Sequence, residues 1–360
     1  MNILLLGGSN AGLRDGWAAH FQRLASEHHV QNSFLGAVGS LFGLVRLLKM
    51  RQERAPLPDL IIYEYTLNDI LLFNAGSLRA EILADTLHAV TNFCAQSNIR
   101  LLFLCLEPLY ASRPSVVGGA SRVRRRYARV AKTHAMTPCI WLCDALDAEA
   151  TSDSYRDSNH LAVDVSECVA AFVLAIVRDR PIAVPRSRGR ADGAFVYIDA
   201  TQARVEGPCR LQSIQSPVFE GSFLEISRSG SSVWPGRGEL VGLMLRSLAT
   251  SGAYMIRAGG RAYRKNAHSQ MLETVRKLML LHYSVRRLRV DGDLEISMPA
   301  RESWLMNFPE DWTLLDSPST TGFDDQVLEI GGVVLWRGAT LSTIVQKLAD
   351  FFPWPADDYR

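Results

Sequence analysis

The sequence predicts an α/β fold of the doubly wound, parallel-sheet class, followed by a second domain rich in β-structure. In residues 1–180, short and nearly continuous apolar runs alternate with segments of helical periodicity, which is typical of parallel strands covered on both faces by helices. Beyond a stretch rich in proline, arginine and glycine, the pattern changes to short β-like segments. We therefore predict one domain over residues 1–182, a linker over 183–193 and a second domain over 194–360.

The first domain is predicted to alternate strands with helices. The apolar runs place strands at residues 2–7, 30–35, 59–65, 99–106 and 138–143. Apolar residues that recur every three to four positions place helices at residues 14–28, 40–54, 77–97, 120–134 and 160–178. Ser77 is the predicted N-cap of the third helix. This alternation implies right-handed crossovers, with helices on both faces of the sheet.

The second domain is predicted to be a β-sandwich or a β-rich α+β fold. Its β-like segments lie at residues 194–199, 209–215, 222–227, 239–247, 253–257, 285–298 and 327–336. His268–Leu281 and residues 340–351 have helical spacing instead and are predicted as helices. Five of the seven tryptophans lie in this half, at positions 234, 304, 312, 336 and 354. Such side chains pack in a core or, where they line a groove, stack on sugar rings.

Composition and charge argue against several classes of protein. The formal net charge is +2, so we expect no overall attraction to nucleic acid or to a membrane surface. No apolar run reaches the ~20 residues that span a bilayer, and the first residues lack a signal-peptide pattern, which predicts a cytoplasmic protein. The six cysteines include no C-x-x-C pair, and most of them lie in apolar runs and are interpreted as small buried apolar residues. Neither a metal site nor a cofactor is predicted.

The segment Gly7-Gly8-Ser9-Asn10 joins the first predicted strand to a helix, and it has several interpretations. A dinucleotide-binding turn needs a glycine where Ser9 stands. A nucleophile elbow of the form G-x-S-x-G needs a glycine where Ala11 stands. Ser9 is then either a nucleophile on a first strand-to-helix turn or only a helix cap. The choice depends on which residues share its edge of the sheet.

Glycines and polar residues follow the other predicted strands. Gly36 and Gly39 follow the second strand, Asn68 follows the third, and Asp157 and His160 precede the last helix of the domain. In a doubly wound sheet the carboxyl ends of the strands lie along one edge, where ligands bind. We therefore expect these residues to converge with the serine of the first turn on one cleft.

These residue types suit acyl transfer. A serine hydroxyl becomes a nucleophile when a base takes its proton, and a histidine oriented by an aspartate is such a base. The oxyanion that forms on attack needs preorganised donors. We predict that Ser9, His160 and Asp157 are catalytic. The N–H groups of Ser9 and Gly36, together with the side-chain amide of Asn68, form the predicted oxyanion hole.

The motifs resemble those of the SGNH/GDSL hydrolase family over the first half of the chain. The sequence GGSN at residues 7–10 stands where the family has GDSL, and Asp157-Ser158-Asn159-His160 matches D-x-x-H. Thr66-Leu67-Asn68-Asp69 stands where the family often has G-x-N-D, so that a threonine replaces a glycine over the oxyanion. The glycine of the second motif is Gly36 or Gly39, and we prefer Gly36. The resemblance implies a flavodoxin-like sheet of five parallel strands.

The resemblance also implies a serine esterase or acyltransferase. Family members with an added β-rich module often act on acylated carbohydrate, so the expected substrate is an O-acetylated carbohydrate or another acylated small molecule, without a nucleic-acid or membrane partner. The same triad serves water or a sugar hydroxyl as acceptor, which leaves hydrolysis and transfer open. The alternatives are a non-catalytic carbohydrate- or ligand-binding protein and a nucleotide-binding protein, and the oligomeric state is left open.

Overall fold

The computed structural model describes residues 1–109, 114–134, 138–142, 152–187, 193–215, 220–273 and 277–338. Within these residues the first half of the chain forms a parallel five-stranded sheet and the second half forms a nine-stranded antiparallel sheet. Both halves of the predicted fold class are therefore confirmed. Among the described residues, no helix is long and apolar enough to cross a bilayer.

The parallel sheet has the strand order of the flavodoxin-like fold. Its strands are β1 (Asn2–Gly7), β2 (His29–Phe34), β3 (Leu60–Glu64), β4 (Arg100–Cys105) and β5 (Cys139–Trp141). They are ordered β2-β1-β3-β4-β5, and every pairing between them is parallel. In this order the chain reverses its direction of winding after β2, so that the carboxyl ends of β1 and β3 flank a crevice.

Helices cover both faces of this sheet. They are α1 (Ser9–Gly12), α2 (Trp17–Leu24), α3 (Ser40–Glu53), α4 (Thr66–Asn74), α5 (Ala80–Gln96), α6 (Pro114–Thr133) and α7 (Val163–Asp179). On one face Ile3 and Leu5 of β1 pack in a core with α2 and α7. On the other face Leu4 and Leu6 pack with α3, α5 and α6. This alternation explains why β1 is apolar at consecutive positions.

Several helix boundaries differ from the prediction: α2 spans Trp17–Leu24 rather than 14–28, and α6 begins at Pro114 rather than at 120. Two further differences have an identified cause. Ser77 is not an N-cap, because α5 begins at Ala80 and Arg79 occupies the cap position. The Ser77 hydroxyl instead accepts a hydrogen bond of 2.9 Å from the N–H of Leu314 in the second half of the chain. The helix predicted from His160 begins only at Val163. Both differences arise from side-chain contacts with distant residues, which local periodicity does not contain.

The antiparallel sheet has nine strands, of which two are unusually long. Its strands are β6 (Phe195–Asp199), β7 (Arg204–Glu206), β8 (Cys209–Gln215), β9 (Glu220–Ile226), β10 (Ser231–Leu248), β11 (Ala253–Ala258), β12 (Arg261–Asn266), β13 (Lys277–Ser297) and β14 (Leu328–Trp336). Strands β10 and β13 pair along their lengths, with a bulge between Leu240 and Gly242. A short helix, α8 (Glu302–Met306), lies between β13 and β14.

The predicted helix His268–Leu281 is wrong in its second half. A 3₁₀ turn spans Gln270–Glu273, and β13 begins at Lys277. Met279 and Leu281 face the first domain, whereas Leu280 is buried on the opposite side of the strand. A strand buried on both faces is apolar at consecutive positions, and a few such residues mimic helical spacing. The helix predicted at residues 340–351 and most of the predicted linker lie outside the described residues.

The two sheets share one apolar core. Val241 and Met244 of β10 belong to the same buried cluster as α3 and α5, whereas Leu243 and Leu245 belong to a second cluster within the antiparallel sheet. Polar contacts reinforce the junction: the Trp336 indole N–H donates to Asp85 over 2.8 Å. The predicted division at residues 183–193 remains a prediction, because a shared core does not show whether either half folds alone.

The shared core predicts that the two halves unfold together. Trp336→Ala removes a side chain that is 7% exposed and contacts the first domain, so we expect the free energy of unfolding to fall by about 3–5 kcal/mol. Urea unfolding followed by circular dichroism should show one transition at lower denaturant concentration. Trp312→Ala, which truncates a tryptophan that is 50% exposed, is the matched control and should change stability by only about 0.5 kcal/mol. Two separate unfolding transitions, of which only one shifts to lower urea concentration in Trp336→Ala, would contradict the expectation that the two halves unfold together.

Candidate active site

The nucleophile candidate Ser9 lies where β1 passes directly into a helix. The N–H of Gly8 donates to the backbone oxygen of Glu64 over 3.0 Å, which fixes the turn against the end of β3. A Cβ atom on Gly8 would lie 2.3 Å from Oδ1 of Asn68, and one on Gly7 would lie 2.7 Å from Cβ of Ala11. Glycine is therefore needed at both positions because other side chains approach the turn closely.

Ser9, His160 and Asp157 form a continuous chain of hydrogen bonds. His160 Nε2 lies 2.9 Å from Ser9 Oγ, and His160 Nδ1 lies 2.7 Å from Asp157 Oδ2. An ionised carboxylate can only accept hydrogen bonds, so Nδ1 carries the proton and Nε2 is left to accept from the serine hydroxyl. The structure thus brings together three side chains that the sequence places up to 151 positions apart.

A tight turn before α7 orients the histidine. The second carboxylate oxygen of Asp157 accepts hydrogen bonds from the N–H groups of Asn159 at 2.8 Å and His160 at 2.9 Å. Burial raises the pKa of Asp157, but these hydrogen bonds and the His160 side chain outweigh it, so the pKa lies below its ordinary value. Asp157 is therefore ionised at neutral pH, as a residue that orients an imidazole must be.

Asn10, which the sequence analysis did not select, connects the serine turn to the histidine turn. Its amide nitrogen donates to the backbone oxygen of Asn159 over 2.9 Å, and its amide oxygen accepts from the N–H of Leu161 over 3.0 Å. These two backbone groups flank His160, and the Asn10 side chain is buried. The one sequence feature that could have pointed to Asn10 is its position in GGSN, where the family motif GDSL has a leucine.

The predicted oxyanion donors surround the serine. Ser9 is the first residue of α1, where N–H groups have no acceptor within the helix. A Cβ atom on Gly36 would lie 3.6 Å from Cβ of Ser9, so this glycine borders the nucleophile. Asn68 lies in the first turn of α4 and packs against Gly8. The preference for Gly36 agrees with this geometry.

Gly39 has a different environment. It occupies the N-cap position of α3, and a Cβ atom there would lie 2.4 Å from Oδ1 of Asp69. Asp69 accepts hydrogen bonds from the N–H of Ser40 at 2.8 Å and the hydroxyl of Tyr127 at 2.7 Å. Burial raises the pKa of Asp69 to about 7. Gly39 therefore allows a buried carboxyl group to hold the start of α3.

A second buried carboxyl group lies beneath the serine turn. Glu64 is completely buried at the end of β3, and its Oε2 accepts from the N–H of Gly8 over 3.2 Å. Burial raises the pKa of Glu64 to about 8, although the Gly8 hydrogen bond opposes this shift. The side chain is consequently protonated at neutral pH. Sequence reasoning assigned Glu64 to a strand and gave it no role.

The remaining features of the site concern metals and Thr66. In the part of the chain that the structure describes, no group of three or more His, Cys, Asp and Glu side chains is arranged to hold a metal ion. Thr66, which stands where the family motif often has a glycine, is fully buried at the start of α4. Its side chain therefore faces the protein interior.

Fold and site together define the class of protein. A parallel sheet in the order β2-β1-β3-β4-β5, with the serine after β1 and an Asp-x-x-His turn before the last helix, is the SGNH-type fold that the motifs predicted. Here it carries a second, antiparallel β-domain. The resemblance noted in the sequence is confirmed at the level of the fold.

Solved structures match this chain either over both of its halves or over about half of its length. A crystal structure of a two-domain esterase (CEX) active on acetylated mannans matches with a TM-score of 0.61 at 13% identity, over 93% of this chain and 91% of that chain. Its structure with mannopentaose matches with a TM-score of 0.61 at 13% identity, over 93% and 90%. The crystal structure of TesA matches with a TM-score of 0.41 at 21% identity, over 49% and 98%. No protein-family model and no curated protein matched the chain.

The buried Glu64 predicts a pH-dependent stability. The folded chain holds this proton up to about pH 8, whereas the unfolded chain releases it near 4.5, so the folded state loses stability as pH rises between these values. Glu64→Gln removes the titration while keeping a hydrogen-bond acceptor. We expect the variant to gain stability relative to the unmodified protein from pH 5 to pH 8, by up to about 1.4 kcal/mol per pH unit.

Urea unfolding at several pH values measures this difference. The exposed Glu206→Gln is the control, and its stability should remain parallel to that of the unmodified protein. If the stability of Glu64→Gln also varied with pH in parallel with that of the unmodified protein, the assignment of a buried, protonated carboxyl group would be contradicted.

Proposed function

We propose that this protein is a serine esterase of the SGNH type that removes O-acetyl groups from carbohydrate through a seryl-acyl intermediate. The observation that carries the proposal is the Ser9–His160–Asp157 chain, with separations of 2.9 and 2.7 Å. The chain lies at the carboxyl edge of the parallel sheet, where α/β proteins of this topology bind ligands.

In the first step, Ser9 Oγ attacks the carbonyl carbon of the acetyl ester while His160 Nε2 takes the hydroxyl proton. The carbon–oxygen bond to the sugar then breaks, and His160 returns the proton to the departing sugar oxygen. Water, deprotonated by the same imidazole, attacks the seryl ester; the bond to Ser9 Oγ then breaks, His160 returns the proton to that oxygen, and acetate is released. Asp157 stabilises the imidazolium that forms in each step.

The charge that develops on the carbonyl oxygen requires nearby donors. The Ser9 N–H at the start of α1, the neighbouring Gly36 N–H and the Asn68 side-chain amide fit this role. Loss of one such donor typically costs about 3–4 kcal/mol of transition-state stabilisation. The uncharged Glu64 beneath the turn leaves this region without an additional negative charge.

The proposed substrate class is supported by the architecture. The two-domain esterase that shares the fold over nine-tenths of both chains is active on acetylated mannans and was co-crystallised with mannopentaose. A β-rich domain packed beside an SGNH-type domain is thus found in an enzyme of this substrate class. Transfer of the acetyl group to a sugar hydroxyl would use the same residues, with that hydroxyl in place of water.

The proposal predicts covalent labelling of Ser9. A fluorophosphonate probe should label the unmodified protein but not Ser9→Ala, because only an activated serine attacks the phosphorus. His160→Ala should lose hydrolysis of p-nitrophenyl acetate while its melting temperature stays nearly unchanged, since the imidazole is partly exposed. Mass spectrometry of the labelled peptide locates the adduct.

Two outcomes would contradict this function. Equal labelling of the unmodified protein and Ser9→Ala would place the reactive group elsewhere. Absence of labelling together with intact carbohydrate binding would favour the non-catalytic alternative, in which Ser9 only begins a helix. Acetate release from acetylated mannan and acetylated xylan then tests the substrate class.

Asn10 is expected to act as a positioning residue. Asn10→Leu removes both hydrogen bonds to the histidine turn, so we expect kcat to fall about 10- to 100-fold with little change in KM, because the lost contacts orient His160 without touching the substrate. The rate of fluorophosphonate labelling should fall in parallel.

Asn32→Leu provides the matched control for this variant. Asn32 donates to the backbone oxygen of Ala11 over 2.7 Å and therefore holds the serine turn without contacting the histidine turn. A purely structural role for Asn10 predicts equal effects of both substitutions on stability and on kcat. A positioning role predicts a larger effect of Asn10→Leu on kcat at comparable loss of stability.

A further inference from the structure

A groove on the second domain lies between α8 and the antiparallel sheet. Its volume is about 640 Å³, within the roughly 300–1,000 Å³ typical of small-ligand sites. Trp304 and Asn307 line one side, and Arg257 of β11 and Glu295 of β13 line the other. Each of these residues belongs to the described part of the chain, and none contributes to the candidate active site.

The tryptophan of this groove is held in an exposed position. Trp304 is 51% exposed, whereas Trp234 and Trp336 of the same domain are buried. The neighbouring Leu305 is 2% exposed and anchors α8 to the sheet, so successive residues of the helix face different directions. Aromatic side chains commonly line the concave sites that bind small ligands.

The opposite wall is polar and carries no net charge. Arg257 and Glu295 are directly paired across the strands, and Arg257 Nη1 donates to Glu295 Oε2 over 3.1 Å. Their side chains are 47% and 33% exposed. This hydrogen bond uses one of the five guanidinium N–H groups, and the carboxylate can accept further hydrogen bonds. Donors and acceptors therefore stand side by side, opposite an aromatic face.

This combination fits a neutral sugar. One face of a hexose ring presents C–H groups that pack on an indole, and its edge presents hydroxyls that both donate and accept. A fatty acyl chain would desolvate the Arg257–Glu295 pair and offer no hydrogen bonds to its remaining N–H groups and oxygen lone pairs, which is costly. An ionic ligand would gain little from a pair whose charges already compensate each other.

The groove is separate from the active-site edge. Strand β10 approaches α3 at Gly242, in the interior of the strand, where a Cβ atom would lie 3.5 Å from Leu41, and the first residue of the strand, Ser231, lines the groove. Eleven positions separate the two residues along β10 (242 minus 231), which at ~3.3 Å per residue is about 36 Å of strand. A polymer, rather than a single sugar, could occupy both sites.

We propose that this groove is a second carbohydrate site, which binds unmodified hexose units of the same polysaccharide whose acetyl groups the active site removes. The inference rests on the proposed function for the identity of the polymer. The groove holds the chain by Trp304 stacking and by hydroxyl contacts to Arg257 and Glu295, and it raises the local concentration of acetyl esters near Ser9.

Calorimetric titration with mannopentaose and with acetylated mannan tests the proposal, using the Ser9→Ala protein so that the ester is not consumed. Trp304→Ala should weaken binding by about tenfold or more, the effect of removing a central aromatic contact. Trp304→Phe should retain part of the affinity. Trp312→Ala, equally exposed at 50% but outside the groove, should bind normally. Glu295→Gln, on the sheet, should weaken binding without disturbing α8.

With Ser9 intact, Trp304→Ala should hydrolyse p-nitrophenyl acetate at the normal rate but act more slowly on dilute acetylated mannan. Unchanged polymer binding by both Trp304→Ala and Glu295→Gln would overturn the proposal, as would failure of the Ser9→Ala protein to bind mannopentaose and acetylated mannan. Failure of the proposed function has a different result: Trp304-dependent sugar binding would persist in a protein that hydrolyses no ester.

Discussion

The site depends on one buried amide, that of Asn10, which joins two segments distant in sequence. The Asn10 side chain donates to the backbone oxygen of Asn159 and accepts from the N–H of Leu161, on either side of His160, and Asn10 itself directly follows the serine. Buried polar groups must be paired, so the serine turn and the histidine turn have few alternative arrangements. The 2.9 Å contact between Ser9 and His160 is a consequence of this arrangement.

Beneath this junction the edge of the sheet is built on two buried carboxyl groups. Glu64 accepts from the serine turn, and Asp69 accepts from the first N–H of α3 and from Tyr127 on α6. The hydrogen bonds that these carboxyl groups accept restrict the backbone at the serine turn and at the start of α3, because a displacement there leaves a polar group unpaired in a low-dielectric interior. The antiparallel sheet also contacts this edge of the parallel sheet, since the hydroxyl of Tyr283 on β13 lies beside Gly39 at the start of α3.

Much of the site and fold could be predicted because each depended on local patterns. The five parallel strands were recognised from apolar runs, and Ser9, Asp157 and His160 from motifs at predicted strand and helix ends. The errors have a physical cause in common. Ser77 is bonded to Leu314, and residues 277–281 pair with β10, so long-range contacts overrode the local preference for a helix cap and for helical periodicity. Asn10 and Glu64 had no pattern that revealed their roles.

The sequence by itself determined the order of strands and helices, the alternation that buries both faces of β1, and the residue types available for nucleophilic chemistry. Only the tertiary structure decided which glycine borders Ser9, which asparagine holds the histidine turn, and how the second sheet joins the core of the first. The physical reason is that periodicity and turn chemistry act over a few residues, whereas burial, close approach and pKa depend on groups brought together from opposite ends of the chain.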